Sequence, residues 1–168
     1  REGGLARDCG FSVPDEPLLR GGVTLARTRL DEPDVEHGWT GTAFFDILAD
    51  GARVGSCSLR CGYAEALFWS GHIGYTVFPA YRGHAYAAQA SALLISWAAR
   101  CGMPQVSVCC LPENEASHRT ALRAGCASEG VFPIPPEHPL YAKSRTHVRR
   151  HTVRPSENFM AEKAEFSP

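Results

Sequence analysis

The run Y-R-G-H-A-Y-A at residues 81–87 places a glycine, two small residues and two potential cations directly ahead of an apolar-periodic segment. Gly83 lets the chain turn tightly with its backbone exposed, and Ala85 is small enough for a ligand to come close to the main chain. Successive N–H groups from Arg82 to Ala87 would then point outward at the positive end of a helix and cradle an anion. Arg82 and His84 add side-chain donors suited to phosphate oxygens. An ordinary strand-to-helix turn is the structural alternative. No G-K-[ST] follows to make a Walker loop, and the full dinucleotide fingerprint is absent.

Two further groups of reactive side chains read more plainly as structure. Cys9, Cys57, Cys61, Cys101, Cys109, Cys110 and Cys126 contain no C-x-x-C pair and no histidine at zinc-site spacing. Small buried thiols are expected, and no metal. Cys109 and Cys110 close a strand with no histidine nearby in sequence. The stretch R-T-H-V-R-R-H-T-V-R, residues 145–154, would suit nucleic acid, an acidic substrate or phosphates. Strand alternation, however, puts half of it on one solvated face.

These residues need elements to position them. Strands are predicted over Val23–Leu30, Thr42–Leu48, Val54–Leu59 and His72–Phe78, the second and third joined by the turn pair Asp50-Gly51. After Pro79 the period changes: Tyr86, Ala90, Leu93, Leu94, Trp97, Ala98 and Cys101 share a helical face that ends at Gly102. A strand over Gln105–Cys110 and a helix over Ala116–Ala124 follow, then strands over Ala127–Phe132 and Tyr141–Val153 around the rigid P-I-P-P-E-H-P loop. The order implies an α+β (α/β) fold, with the strands on either side of the first helix parallel. The helix N-terminus then opens where ligands of such sheets sit. Residues 1–22 read as an N-terminal arm, 23–153 as the domain, and 154–168 as a tail in which F-M-A-E-K-A-E-F can form a docked turn.

At 168 residues the chain has one domain's length, and 44% hydrophobic against 21% charged residues excludes a disordered or fibrous chain. A net charge of −1 leaves no global argument for nucleic acid or membrane. No stretch approaches the ~18 apolar residues of a membrane span. No signal peptide opens the sequence, which starts at Arg1. A cytoplasmic protein is expected.

The loop at 81–87, preceded by G-Y-T-V-F-P and followed by a helix, resembles the acyl-CoA loop of the GNAT N-acetyltransferase superfamily. P-E-N-E-A-S-H-R-T-A-L-R-A-G-C-A-S-E-G at 112–130 is similar to the P-x-N-x-x-S…G-F-x-x-E-G block of its RimJ/RimL-like branch. The resemblance covers residues 42–150. It implies a mixed, mostly antiparallel sheet of about seven strands, whose parallel pair splays around acyl-CoA. It also implies direct acetyl transfer from acetyl-CoA to a primary amine of a small molecule or protein N-terminus. Tyr75, Thr76 and Val77 would pair with the pantetheine arm. Arg82, Gly83, His84, Ala85, Tyr86 and Ala87 would hold the pyrophosphate. Asn114 would bond the arm or a nearby water, and Ser117 would lie near the sulfur, although either residue could equally cap the helix.

Departures from the family pattern matter too. Ala80 and Ala121 stand where relatives carry Gln or Arg, and a tyrosine acid. With the tyrosine missing, Ser117 or water would protonate the thiolate. Only a short segment separates Leu30 from Thr42, so the α1–α2 region that usually walls the acceptor site is shortened. The site would be open, or finished by another chain or by residues 1–22. His72 and Glu65 are the candidate bases, with His72 chosen for its ordinary pKa near neutrality. A water relay from a backbone carbonyl is the alternative to both. Phe44, Phe45, Phe68 and Trp69 are candidates for an acceptor pocket, although aromatic residues on strands more often fill a core. Expected partners are acetyl-CoA and an amine, without membrane; nucleic acid is disfavoured and a homodimer stays open. A non-catalytic acyl-CoA-binding or interaction domain, and an O-acyltransferase, are the rival readings.

Overall fold

The computed structural model describes residues 18–34, 36–37 and 40–155. Cys9, most of the N-terminal arm and the F-M-A-E-K-A-E-F tail therefore lie outside the described residues. Strict alternation makes the strands: in β3 (Thr42–Ala49) the side chains of Ala43, Phe45, Ile47 and Ala49 are buried and their neighbours are not. With β1 (Leu18–Arg20), β2 (Val23–Asp31), β4 (Ala52–Arg60) and β5 (Ile73–Val77), it forms an antiparallel sheet in chain order. A second antiparallel sheet holds β6 (Val106–Cys110), β8 (His147–Val153) and β7 (Ala127–Pro133), in that order.

Helix α2 (Tyr86–Arg100) lies on the first sheet and supplies Leu94, Trp97 and Ala98 to the core. Trp97 meets the Phe45 ring edge-on at 5.5 Å. Helix α3 (Glu115–Arg123) follows β6 and buries Ala121, so the position of the missing tyrosine faces the core and not a cleft. Both helices match the sequence reading to within a residue or two.

The α+β class holds, with corrections in detail. There are eight described strands in two sheets, because Leu18–Arg20, assigned to the arm, pairs with β2. Glu65 stands just ahead of a helical turn, α1 (Leu67–Ser70), which the strand pattern does not predict. The last strand starts at His147, since Tyr141 and Arg145 are taken up by tight turns closed on His138 and Ala142. No described helix is long and apolar enough to cross a membrane.

No described ladder joins β5 to β6; they touch only at their N-terminal ends. There the His72 N–H donates to Ser107 O at 2.8 Å, and the Ser107 N–H donates to His72 Nδ1 at 3.0 Å. Gly71, at φ +74°, makes this approach possible: a Cβ there would sit 3.0 Å from the Cys109 nitrogen. Beyond this clamp the strands part, and Ile73–Tyr75 face Val108–Cys110 across a wedge.

Candidate active site

On one side of the wedge a groove of about 530 Å³ runs between β5, the N-terminus of α2 and α3. The chain enters α2 through a 3-10 turn, Pro79–Tyr81, then Gly83 at φ +91° and Ala85 at φ +57°. The first α2 N–H to find a helical acceptor is that of Gln89, on Ala85 O at 3.1 Å. The N–H groups before it are the orphan donors of a helix start, and Tyr86 and Ala87, which carry two of them, line the groove. Arg82, Gly83, His84, Ala85, Tyr86 and Ala87 all line it, as do Tyr75, Thr76 and Val77. Arg82 folds its Nε back onto Val77 O at 3.1 Å, and His84 stacks on Tyr86.

Two cationic groove residues escaped the sequence reading. Arg119 and Arg123 line the far wall from the outer face of α3. Their i, i+4 spacing in R-T-A-L-R was a readable signal. No acidic side chain lines this groove among the described residues.

On the other side lies a cavity of about 350 Å³, walled by β5, β6, α1 and the segment before β8. Tyr75, Asn114 and Ser117 line both spaces, so the two meet at these side chains. Asn114 is the helix cap: its Oδ1 accepts the Ser117 N–H at 3.0 Å. The Ser117 hydroxyl is thereby free of capping, and it lies 2.7 Å from the Tyr75 hydroxyl. Tyr75 Oη also reaches Ser117 O at 3.2 Å. Burial pushes the Tyr75 phenol above its ordinary pKa, partly offset by the hydrogen bond from Ser117. It stays protonated at neutral pH and can hold or pass a proton through Ser117. The sequence reading used only the main chain of Tyr75, so its side chain is a second addition.

His72 and Glu65 are not brought to this junction. Glu65 is exposed before α1, and neither residue lines the groove or the wedge. His72 is 3% exposed, and both ring nitrogens are occupied: Nδ1 accepts from Ser107, and Nε2–H donates to Gly62 O at 3.0 Å. That leaves no lone pair for a substrate proton. Desolvation by burial lowers its pKa to about 4, and the charges of Arg150 and Arg60 act in the same direction. His72 thus clamps the two sheets as a neutral ring.

A stability effect follows. The folded pKa lies below the ordinary 6.5, so the unfolded chain takes up a proton first as pH falls. The stabilisation is complete above pH 6.5 and declines as pH drops towards 4, by about 3 kcal/mol in all. Urea unfolding at pH 7 and 4.5 should show a steeper loss in the parent than in His72→Gln. Equal losses would show that His72 titrates normally in the fold.

Among the other aromatic candidates, Phe45 is core and Trp69 lines the wedge. Phe44 lies under the Arg29 guanidinium, and Phe68 under that of Arg150. Cys109 and Cys110 are free thiols on the wedge wall, and burial pushes Cys109 up to about 11. Neither is a thiolate at neutral pH. In the strand rich in basic residues, Arg150 is buried against Glu129 (2.6 Å) and Arg149 reaches Glu115 (3.3 Å), so much of that run is structural.

An antiparallel sheet thus parts from a second one, with the Gly83 loop and the N-terminus of α2 at the parting. Residues 19–127 match the acetyltransferase (GNAT) domain family, and the chain belongs to it. Among solved structures it is similar to the microcin C7 self-immunity acetyltransferase MccE in complex with acetyl-CoA and AMP, at 20% identity and TM-score 0.54. That alignment covers 67% of this chain and 61% of the other, so the chain spans less than two thirds of that structure's length. A Salmonella typhimurium acetyltransferase that modifies the N-terminal serine of a 50S ribosomal protein aligns at 21% identity and TM-score 0.53, over 71% of this chain and 66% of its own. An apo RimL ribosomal alpha-N-protein acetyltransferase aligns at 17% identity and TM-score 0.59, over 83% and 94%. No curated protein sequence matches.

Proposed function

We propose that this chain transfers an acetyl group from acetyl-CoA to a primary amine. The observation that carries this reading is the meeting of the cationic groove and the wedge at Tyr75, Asn114 and Ser117. The groove suits the donor: orphan N–H groups from Gly83 to Ala87, with the guanidiniums of Arg82, Arg119 and Arg123, offer positive charge to a pyrophosphate, and His84 adds a ring N–H. The free edge of β5, at Tyr75–Val77, suits an extended arm. MccE, whose structure holds acetyl-CoA, and the RimL structure share the fold and support the same assignment.

Bound acetyl-CoA supplies the thioester carbonyl carbon. The acceptor nitrogen enters from the wedge and bonds to that carbon while the C–S bond breaks. The Ser117 hydroxyl, backed by Tyr75, stabilises the departing sulfur and hands it a proton, and the hydroxyl pair regains that proton from water as the acceptor nitrogen loses its own. No carboxylate or imidazole lines the wedge among the described residues, so the nucleophile arrives as the neutral amine and loses its extra proton to water. This favours N- over O-acylation, which needs a true base. The proposed catalytic unit runs over residues 23–153, buttressed by β1. A cytoplasmic setting is in keeping with the free thiols of Cys57, Cys109, Cys110 and Cys126.

The test is thiol release on mixing protein, acetyl-CoA and a panel of amines. Turnover should appear with an amine and rise with pH up to the acceptor's own pKa. Acetyl-CoA binding without consumption across the panel would identify a binding domain instead.

A further inference from the structure

The acceptor side of the wedge carries its own selectivity. We infer that it takes a primary amine bearing a carboxylate or phosphate, and that Arg60 and Arg145 select such amines over neutral and polycationic ones. This rests on the acetyltransferase reading above and narrows its acceptor.

Arg60 and Arg145 are the charged side chains among the described residues that line the wedge. Three guanidiniums elsewhere in the fold have carboxylate partners: Arg53 with Asp46, Arg149 with Glu115 and Arg150 with Glu129. Arg60 is half-buried at the end of β4 and donates from Nη1 to Gly71 O at 3.1 Å, but no described carboxylate lies within ion-pair distance. A guanidinium taken partly out of water with most of its five donors unused costs the fold energy. Desolvation by burial accordingly pushes its pKa down. Arg145 lines both the wedge and an outer cleft that it shares with Glu113, with which it forms no ion pair. Between Arg60 and Arg145 the wall is apolar, from Ile73, Val108, Leu140 and Val148, which strengthens charge recognition.

An incoming carboxylate or phosphate supplies the missing counter-charge in the paired geometry guanidinium favours. The same two positive charges lower the pKa of an amine held beside them, so more of it is the neutral nucleophile. That suits a site in which no described base was found. A polyamine meets only repulsion. The anion can belong to a free acidic amino acid or to the first residues of an acidic peptide.

Matched acceptors separate these cases: glutamate against glutamine, a peptide starting Ser-Asp against Ser-Asn, and spermidine. Acetylation is read by mass spectrometry at low salt. Calorimetry measures the N-acetyl products binding to CoA-saturated protein, which needs no turnover. The anionic member of at least one pair should lead by about tenfold or more in kcat/KM, and whichever pair responds identifies the source of the anion. Arg60→Gln and Arg145→Gln should each reduce that lead, mainly through KM, and leave acetyl-CoA stabilisation intact. Arg145 is exposed, so its variant covers misfolding of the Arg60 one. Equal use of the neutral isosteres or spermidine, or a lead that survives both variants, overturns the inference. If no amine is acetylated, anionic products that still bind better in the parent than in the variants uphold it while the transferase reading fails. Loss of that difference overturns it as well.

Discussion

The Gly83→Asp variant is expected to fold yet lose the stabilisation that excess acetyl-CoA gives the parent. At a ligand concentration about 100 times Kd, that stabilisation should be about 2.7 kcal/mol, a shift of several degrees in Tm. Gly83 sits at φ +91°, and a Cβ built on it meets nothing within 4 Å. The substitution therefore brings backbone strain of about 1–2 kcal/mol but no steric clash. Its carboxylate, however, would lie among the N–H groups that start α2. It would take the donors a pyrophosphate needs and repel the phosphates. Gly83→Ala separates the two effects, because it carries the strain without the charge. The alanine variant should start from a lower Tm and still respond to acetyl-CoA. The aspartate variant should start equally low and not respond. A full response in Gly83→Asp would mean that the donor binds elsewhere, and the groove would lose its assignment.

That loop was legible in the sequence because everything it needs lies within seven consecutive residues. The two helices were legible for a similar reason, since periodicity and a following glycine are local. Contacts between distant segments were not. Tyr75 and Ser117 are 42 positions apart, and nothing in either neighbourhood says that their hydroxyls meet. Arg60 and Arg145 line one cavity only because β4 and the turn before β8 end near the same opening. His72 shows the opposite failure. Its ordinary pKa made it a plausible base, but residue type carries no information about burial, and Ser107 and Gly62 hold both of its nitrogens. Helix α1 was hidden because four residues are too few to show a period. The missing tyrosine at Ala121 was read as the loss of an acid. A phenol nevertheless sits beside Ser117, delivered from β5 rather than from α3.

Ser117→Ala should lower kcat by about a hundredfold while leaving acetyl-CoA affinity and Tm close to the parent's. The stability half of this expectation follows from the cap. Asn114 Oδ1 accepts the backbone N–H of residue 117, and alanine keeps that N–H. A Ser117 hydroxyl that served as the cap would have made its loss cost about 1 kcal/mol. The kinetic half follows from the 2.7 Å contact with Tyr75, which makes the two hydroxyls one proton-holding unit. Tyr75→Phe should therefore also lower kcat, and the double variant should be little worse than Ser117→Ala, because groups that act as a unit are not additive. The leaving group is the CoA sulfur whatever the acceptor, so raising proton availability is the available rescue: the deficit of both variants should shrink as pH falls. Multiplicative losses, or a Ser117→Ala enzyme with parental kcat, would show that water protonates the sulfur and that the Tyr75–Ser117 contact only braces α3 against β5.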